Sequence, residues 1–278
     1  MKELFDQVSL RCSRLTTQAY STSFSLGIRC LARELQDPIY AIYGFVRFAD
    51  EIVDTFHDFD KRALLERFKD DTFRAVREKI SLNPILNSFQ FTVNAYGIED
   101  ELITQFLKSM EMDLYKTTYD EQAYQAYMLG SAEVVGLMCL RVFCHGNKRM
   151  FHDLKPFAMR LGAAFQKVNF LRDLQSDYAA MGRVYFPGVD LEHFDEPCKK
   201  RIEDSIRRDF DEAYVGIKKL PRSARFGVYV AYVYYLALFR KIKNTPSHIV
   251  MRSRIRIPKP QKATLLAYSY VKHQLNWL

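Results

Sequence analysis

Chain-breaking residues are scarce and widely spaced along this sequence, which confines it to helices. Gly and Pro number 11 and 9 among 278 residues, about 7% against the ~12% of average usage. Break signals fall at Asp37-Pro38, Asn83-Pro84, Tyr96-Gly97, His145-Gly146-Asn147, residues 182–188, Pro221, Pro246 and residues 258–260. The stretches between them carry apolar residues at helical spacing. No run alternates apolar and polar residues between hairpin turns. The expectation is an all-α fold, a single domain over residues 1–278, with 48% hydrophobic residues to fill its core. The 21 Phe and 17 Tyr among them could wall an elongated apolar cavity.

Several function classes drop out. Cys12, Cys30, Cys139, Cys144 and Cys198 form no C-x-x-C pair and no zinc-finger spacing with His. They read as free thiols in a reducing compartment. The N-terminus lacks the apolar segment of a signal peptide. The longest apolar run, residues 226–239, has 14 residues, short of the ~20 that span a bilayer. A cytoplasmic protein is expected, with peripheral contact at the inner face of the cell membrane as its further option. Net charge is +8, which favours anionic partners. No basic–aromatic nucleic-acid motif accompanies it, so nucleic acid is not expected. Diphosphates and an anionic bilayer explain the sign equally well.

Two helices carry the chemistry. The spacing predicts one over residues 38–54, with Pro38 in its first turn. Ile39, Ile42, Tyr43, Val46 and Val53 recur along it, and Arg47, Asp50 and Asp54 share a face at i, i+3, i+7. The second is predicted over residues 156–178. Gln166, Asn169, Asp173 and Asp177 form one polar stripe at i, i+3, i+7, i+11, flanked by Leu161, Ala164, Phe165, Phe170 and Leu174.

An Asp-x-x-x-Asp pair alone is weak evidence. With 33 acids in the chain, chance yields about four acid pairs at this spacing, mostly on solvated faces. The apolar flanks raise the weight of these two. Carboxylates against a low-dielectric interior are costly without a cation or hydrogen bonds. A surface stripe would carry salt-bridging Lys or Arg, and Lys167 and Arg172 are expected to project elsewhere. Carboxylate and amide oxygens, without clustered thiol or His, suit Mg²⁺, with Mn²⁺ as the alternative. Arg47 could complete an anion site, or pair with Asp50 or Asp54 on the helix surface.

These stripes sit within ordered motifs that resemble the squalene and phytoene synthase family, the head-to-head trans-isoprenyl diphosphate synthases. Tyr20-Ser21-Thr22-Ser23-Phe24 is similar to the family's N-terminal S-x-[ST]-F segment. YAIYGFVRFADEIVD at 40–54 resembles its first aspartate helix. MEMDL at 110–114 and VVGLM at 134–138 follow in order. Residues 161–187 carry Q-x-x-N-x-x-R-D-x-x-x-D and a G-R-x-Y-F-P tail. The resemblance implies an isoprenoid-synthase-type helical bundle around a central apolar cavity. It implies Asp50, Asp54, Asp173 and Asp177 as ligands of Mg²⁺ and diphosphate, Asn169 as a further metal ligand, and Gln166 beside it. Arg47 would contact diphosphate. Ser21 and Ser23 would lie near a phosphate, or cap a helix. Tyr127, Tyr185 and Tyr235 would line the cavity, Tyr235 in a catalytic role or as plain core.

The implied reaction joins two geranylgeranyl diphosphates to phytoene, as in the bacterial carotenoid branch. A C30 reaction on farnesyl diphosphate is the alternative, and a non-catalytic lipid-binding or assembly protein the rival of another class. NADPH is not expected. Downstream carotenoid enzymes are possible partners. Two departures stand out. Glu51 occupies a position where many members carry Asp. Gly130-Ser131-Ala132-Glu133 replaces a more usual small-residue run, and Glu133 is expected to alter the local cavity shape. The basic run Arg252, Arg254, Arg256, Lys259 and Lys262 could touch anionic lipid or be solvated, and residues 265–278 form an amphipathic tail.

Overall fold

A computed structural model describes residues 1–191 and 193–274. In chain order the helices are α1 (Lys2–Tyr20), α2 (Thr22–Arg29), α3 (Arg33–Asp54), α4 (Lys61–Glu78), α5 (Pro84–Tyr96), α6 (Asp100–Asp113) and α7 (Glu121–Met128). A π-turn, Leu129–Glu133, joins α7 to α8 (Val134–Cys144). Then follow α9 (Lys148–Met181), α10 (Glu196–Lys219), α11 (Arg222–Lys243), α12 (Ser247–Val250) and α13 (Lys259–Gln274). Among the described residues, strand-like pairing is confined to an isolated bridge between Thr118 and Val184. The all-α expectation holds.

Local chemistry explains many of the helix ends. Asp60, Asn83, Asp120, Asn147 and Asp195 each cap an N-terminus, their carboxylate or amide oxygens accepting from backbone N–H groups two or three residues on. Gly182 stops α9 in the left-handed region at φ 63°, a conformation that suits glycine. Its N–H donates to the Tyr178 carbonyl at 2.9 Å, and the Arg183 N–H to that of Asp177 at 3.3 Å. The chain therefore doubles back beside the last aspartate.

Both key helices start earlier than their prolines predict. Pro38 and Pro156 lie inside α3 and α9. Tertiary packing holds the turns that precede them. Leu35 is fully buried, and the Ala32 N–H donates to the Ser223 carbonyl at the start of α11. Ahead of Pro156, Asn147 caps the helix while Phe151 and Leu154 are buried.

Two apolar clusters divide the interior. One centres on Phe45, stacked on Phe89 at 3.9 Å and near Phe106 at 5.3 Å, and joins α3, α5, α6 and α8. The other joins α9, α10 and α11 around Phe210 and Phe239. A cavity of about 430 Å³ lies between them. The stretch Glu121–Cys144, not the run at 226–239, is the described helix long and apolar enough to cross a membrane. An 18-residue window of it has mean hydropathy 1.5 and is 61% buried inside the bundle, and the stretch packs against α6 and α9.

Candidate active site

The cavity has a polar end and an apolar depth. Asp50 and Asp54 from α3 and Gln166, Asn169, Asp173 and Asp177 from α9 all line it, joined by Arg47, Tyr127 and Tyr185. The two stripes read from the sequence thus face one chamber. Phe24, Ile28, Leu31, Phe157 and Phe165 wall the part beyond.

The carboxylates are unevenly neutralised. Asp54 accepts from the buried Arg183 at 2.9 Å. Asp173 accepts from Arg172 Nε at 3.0 Å and from Arg254 Nε at 2.7 Å. Arg172 therefore turns into the site, contrary to expectation, because its long side chain can curl back onto the adjacent residue. Lys167 does project elsewhere, onto Ser205 and Asp209 at 2.7 Å each.

Asp50 and Asp177 lack such partners. Burial raises the Asp50 carboxyl to about 8, with Asp54 repulsion adding to it and Arg47 opposing it. Asp50 keeps 32% of its side-chain surface, but as a cavity-lining group it is enclosed by protein. Asp177 rises to about 7 through burial and repulsion from Asp173 and Asp54. In both acids burial and like charge disfavour the carboxylate, and a cation would restore it.

Arg47 has a dual setting. Its guanidinium pairs with Glu51, lies 3.9 Å from Asp50 and covers the Tyr20 ring at 4.4 Å. Its Nε is buried without a partner. The residue lines the cavity, and a guanidinium there suits an anionic ligand.

Asp113 is a member of the site that sequence reading missed. It lines the cavity from α6 and accepts from Tyr127 at 2.8 Å and Tyr119 at 3.3 Å. Burial lifts its carboxyl to about 7, against the pull of Arg183. Arg183 also donates to the Asp113 carbonyl at 2.7 Å and to Tyr185 at 3.2 Å. It thus bridges α3 and α6. Both residues lie within quoted motifs, MEMDL and G-R-x-Y-F-P, which was the available signal.

The aromatic positions divide. Tyr127 and Tyr185 line the cavity, with Tyr185 stacked on Phe170 at 3.9 Å. Tyr235 does not. It stands behind Phe165 at 4.1 Å and donates to Asn169 at 3.3 Å, so it positions the amide.

Ser21 and Ser23 also stay outside the lining. Ser21 caps α2, accepting from the Phe24 N–H at 3.2 Å. Ser23 accepts from Lys262 at 3.1 Å. Arg254 and Lys262 of the basic run therefore reach the site and its rim, because α13 packs against α11 and brings them back over it. Glu133 does not line the cavity either. The π-turn leaves it facing Arg160, Lys167 and Asp209, and burial raises its carboxyl. Residues 275–278 of the expected amphipathic tail lie outside the described residues.

The donor set is oxygen-rich, which fits Mg²⁺ or Mn²⁺. Among the described residues no three acids or His/Cys groups converge on one point.

Residues 17–261 match the squalene/phytoene synthase family. The chain belongs to that family, whose members join prenyl diphosphates head to head. It is 29% identical over 94% of its length to phytoene synthase 1 of Solanum lycopersicum, covering 67% of that protein. It is 30% identical over 61% of its length to a presqualene diphosphate synthase of Rhodopseudomonas palustris, covering 59% of it. A crystal structure of a dehydrosqualene synthase shares the fold at a TM-score of 0.82 with 19% identity, over 97% of this chain and 98% of that one.

Proposed function

We propose that this prenyltransferase is a phytoene synthase. It condenses two geranylgeranyl diphosphates through prephytoene diphosphate to phytoene and releases both diphosphates. The observation that carries the reading is the cavity itself: two aspartate stripes at one end and an aromatic-walled apolar depth at the other. The likeness to phytoene synthases over nearly the whole chain favours the C40 product over the C30 alternative.

Asp50, Asp54, Asp173 and Asp177, with Asn169, would hold Mg²⁺. When bound, the metal supplies charge neutralisation and Lewis-acid pull on the diphosphate. Arg47 would contact the diphosphate from the cavity wall, with Gln166 beside it. Tyr235 fixes the Asn169 amide. Arg172 and Arg254 counter the charge on Asp173 and stand ready for the departing group. The Phe and Tyr walls exclude water from the cations and stabilise them through their ring faces. Burial disfavours the phenolate of Tyr127 and Tyr185; the departing diphosphate or a Tyr hydroxyl takes the protons lost from carbon. The reaction ends in proton loss and draws on no nicotinamide. Apolar substrates and product argue for peripheral contact with the inner membrane face and with downstream carotenoid enzymes.

Incubation with geranylgeranyl or farnesyl diphosphate, Mg²⁺, and with or without NADPH tests this. Phytoene from the C20 substrate alone is the expected result. A C30 hydrocarbon from farnesyl diphosphate would favour the alternative, and no product from either would leave a non-catalytic protein.

A further inference from the structure

Charge is distributed unevenly along the chain. The last acid is Glu212. Up to that point 33 Asp and Glu outnumber 28 Lys and Arg, whereas the 66 residues after it hold 13 Lys and Arg and no acid. The whole of the net +8 therefore resides between the end of α10 and the end of the chain. Among the described residues, Arg254 alone of these 13 cations makes an ion pair, with Asp173.

The outermost helix of this basic stretch is α13, which runs back along α11. At its start Lys241 donates to the Arg256 carbonyl at 2.8 Å. Near its end the Phe226 ring meets Tyr270 at 6.0 Å and His273 at 4.9 Å. Ser269 is buried on the inner side. Helical period puts Ala267 and Val271 on the side away from Ser269, with Tyr268 and Tyr270 flanking them. All four are exposed, Tyr268, Tyr270 and Val271 by more than half. Exposed cations bracket this strip, Lys241 and Arg256 at one end and Arg222 at the other. Lys272 lies over the Tyr268 ring at 5.3 Å.

An exposed strip of rings and aliphatic carbon between unpaired cations has the chemistry of a helix lying in a membrane interface. Apolar groups enter the acyl boundary, ring hydroxyls and ammonium groups stay at headgroup level, and anionic lipid supplies the countercharge. A second copy of this face would set like charges against each other. We propose that the outer face of α13, with the cations at its two ends, docks on an anionic lipid bilayer. The inference rests on the peripheral contact proposed above and names the surface that makes it. On its inner side α13 sends Lys262 to Ser23 at the rim of the cavity, so docking here sets the chamber mouth close to the interface, where amphipathic prenyl diphosphates lie.

The experiment is flotation with phosphatidylcholine vesicles, with and without phosphatidylglycerol, in low and high salt, beside hydrocarbon formation in detergent micelles. The expected result is binding to the phosphatidylglycerol vesicles that high salt weakens, and little binding to phosphatidylcholine alone. Arg222→Gln combined with Arg256→Gln should weaken binding about fivefold for each cation removed. Tyr268→Ser combined with Val271→Ser should weaken it at least about tenfold. Both double variants should keep the parent's turnover in detergent. Arg74→Gln combined with Arg77→Gln, on the exposed side of α4, should leave binding unchanged. Absence of vesicle binding, unchanged binding in Tyr268→Ser/Val271→Ser, or an equal loss in the α4 variant overturns this inference while hydrocarbon still forms. A dimer in sedimentation that Val271→Ser dissolves, or an oligonucleotide bound as tightly as the vesicles, overturns it in favour of another occupant. Vesicle binding that follows the expected pattern without hydrocarbon from either prenyl diphosphate supports this surface and overturns the phytoene synthase reading alone.

Discussion

The two aspartate helices share a spacing and a cavity but differ in how their charges are met. On α3 the second acid, Asp54, is neutralised by Arg183, while Asp50 is left with a carboxyl at about 8. On α9 the first acid, Asp173, is gripped by Arg172 and Arg254, while Asp177 rises to about 7. Each pair thus holds one compensated and one uncompensated carboxylate. The order is reversed between them because Arg183 and Arg254 arrive from other parts of the chain, while Arg172 curls onto its neighbour in α9. Identical spacing fixes which face the acids share, and the neighbours decide what each can do.

The largest effect should come from Arg183, whose side chain is 5% exposed and joins Asp54 to Asp113. Removing one partner of a buried ion pair costs about 3–5 kcal/mol. Arg183→Met should lower stability by about that much in denaturant unfolding. A loss below about 1 kcal/mol would place the bridge among the weak surface pairs.

Asp50→Asn and Asp173→Asn should each lower turnover by about 10²–10³-fold, the scale of removing a group that stabilises transition-state charge. Their stabilities should part company. Asp50→Asn relieves an uncompensated charge and should leave the protein as stable or more so at pH 8. Asp173→Asn strands two guanidiniums and should destabilise it. Equal shifts in melting temperature would erase the contrast between the pairs.

Arg254 is half exposed, and pairs of that kind contribute about 0.2–1 kcal/mol. Arg254→Gln should therefore raise KM only a few-fold, read from steady-state kinetics. A loss as large as that of Asp173→Asn would assign Arg254 to the chemistry itself.

A separate effect concerns pH. The folded Asp113 carboxyl, at about 7, lies above its ordinary 3.8. Between those values the folded state binds more protons than the unfolded one, so stability falls as pH rises from about 4 to 7. Asp113→Asn should flatten that slope in unfolding measured without metal. An unchanged slope would assign it to Asp50 and Asp177.

Much of the site was legible in order along the chain. The acids, Gln166 and Asn169 lie on single helices, and helical period alone puts them on one face. Arg183, Arg254 and Lys262 were not legible. A guanidinium or ammonium after a turn could aim anywhere, and only the Gly182 reversal and the return of the C-terminal segment direct these three. Asp113 shares MEMDL with Glu111, and no stripe marks it. For Tyr235 the resemblance leaves a cavity-lining role or plain core, and Phe165 stands between it and the cavity.

The sequence by itself determined the helical class, because few breakers and a 3.6-residue period leave the backbone little else to form. It also determined that two acid stripes face apolar surroundings. Only the tertiary structure decided that the stripes meet across one chamber and that arginines compensate Asp54 and Asp173 but spare Asp50 and Asp177. It alone decided, too, that Tyr235 supports an amide rather than a wall. The reason is physical: local period fixes the direction of a side chain relative to its own helix, whereas charge compensation and burial depend on what the other helices bring within a few ångströms.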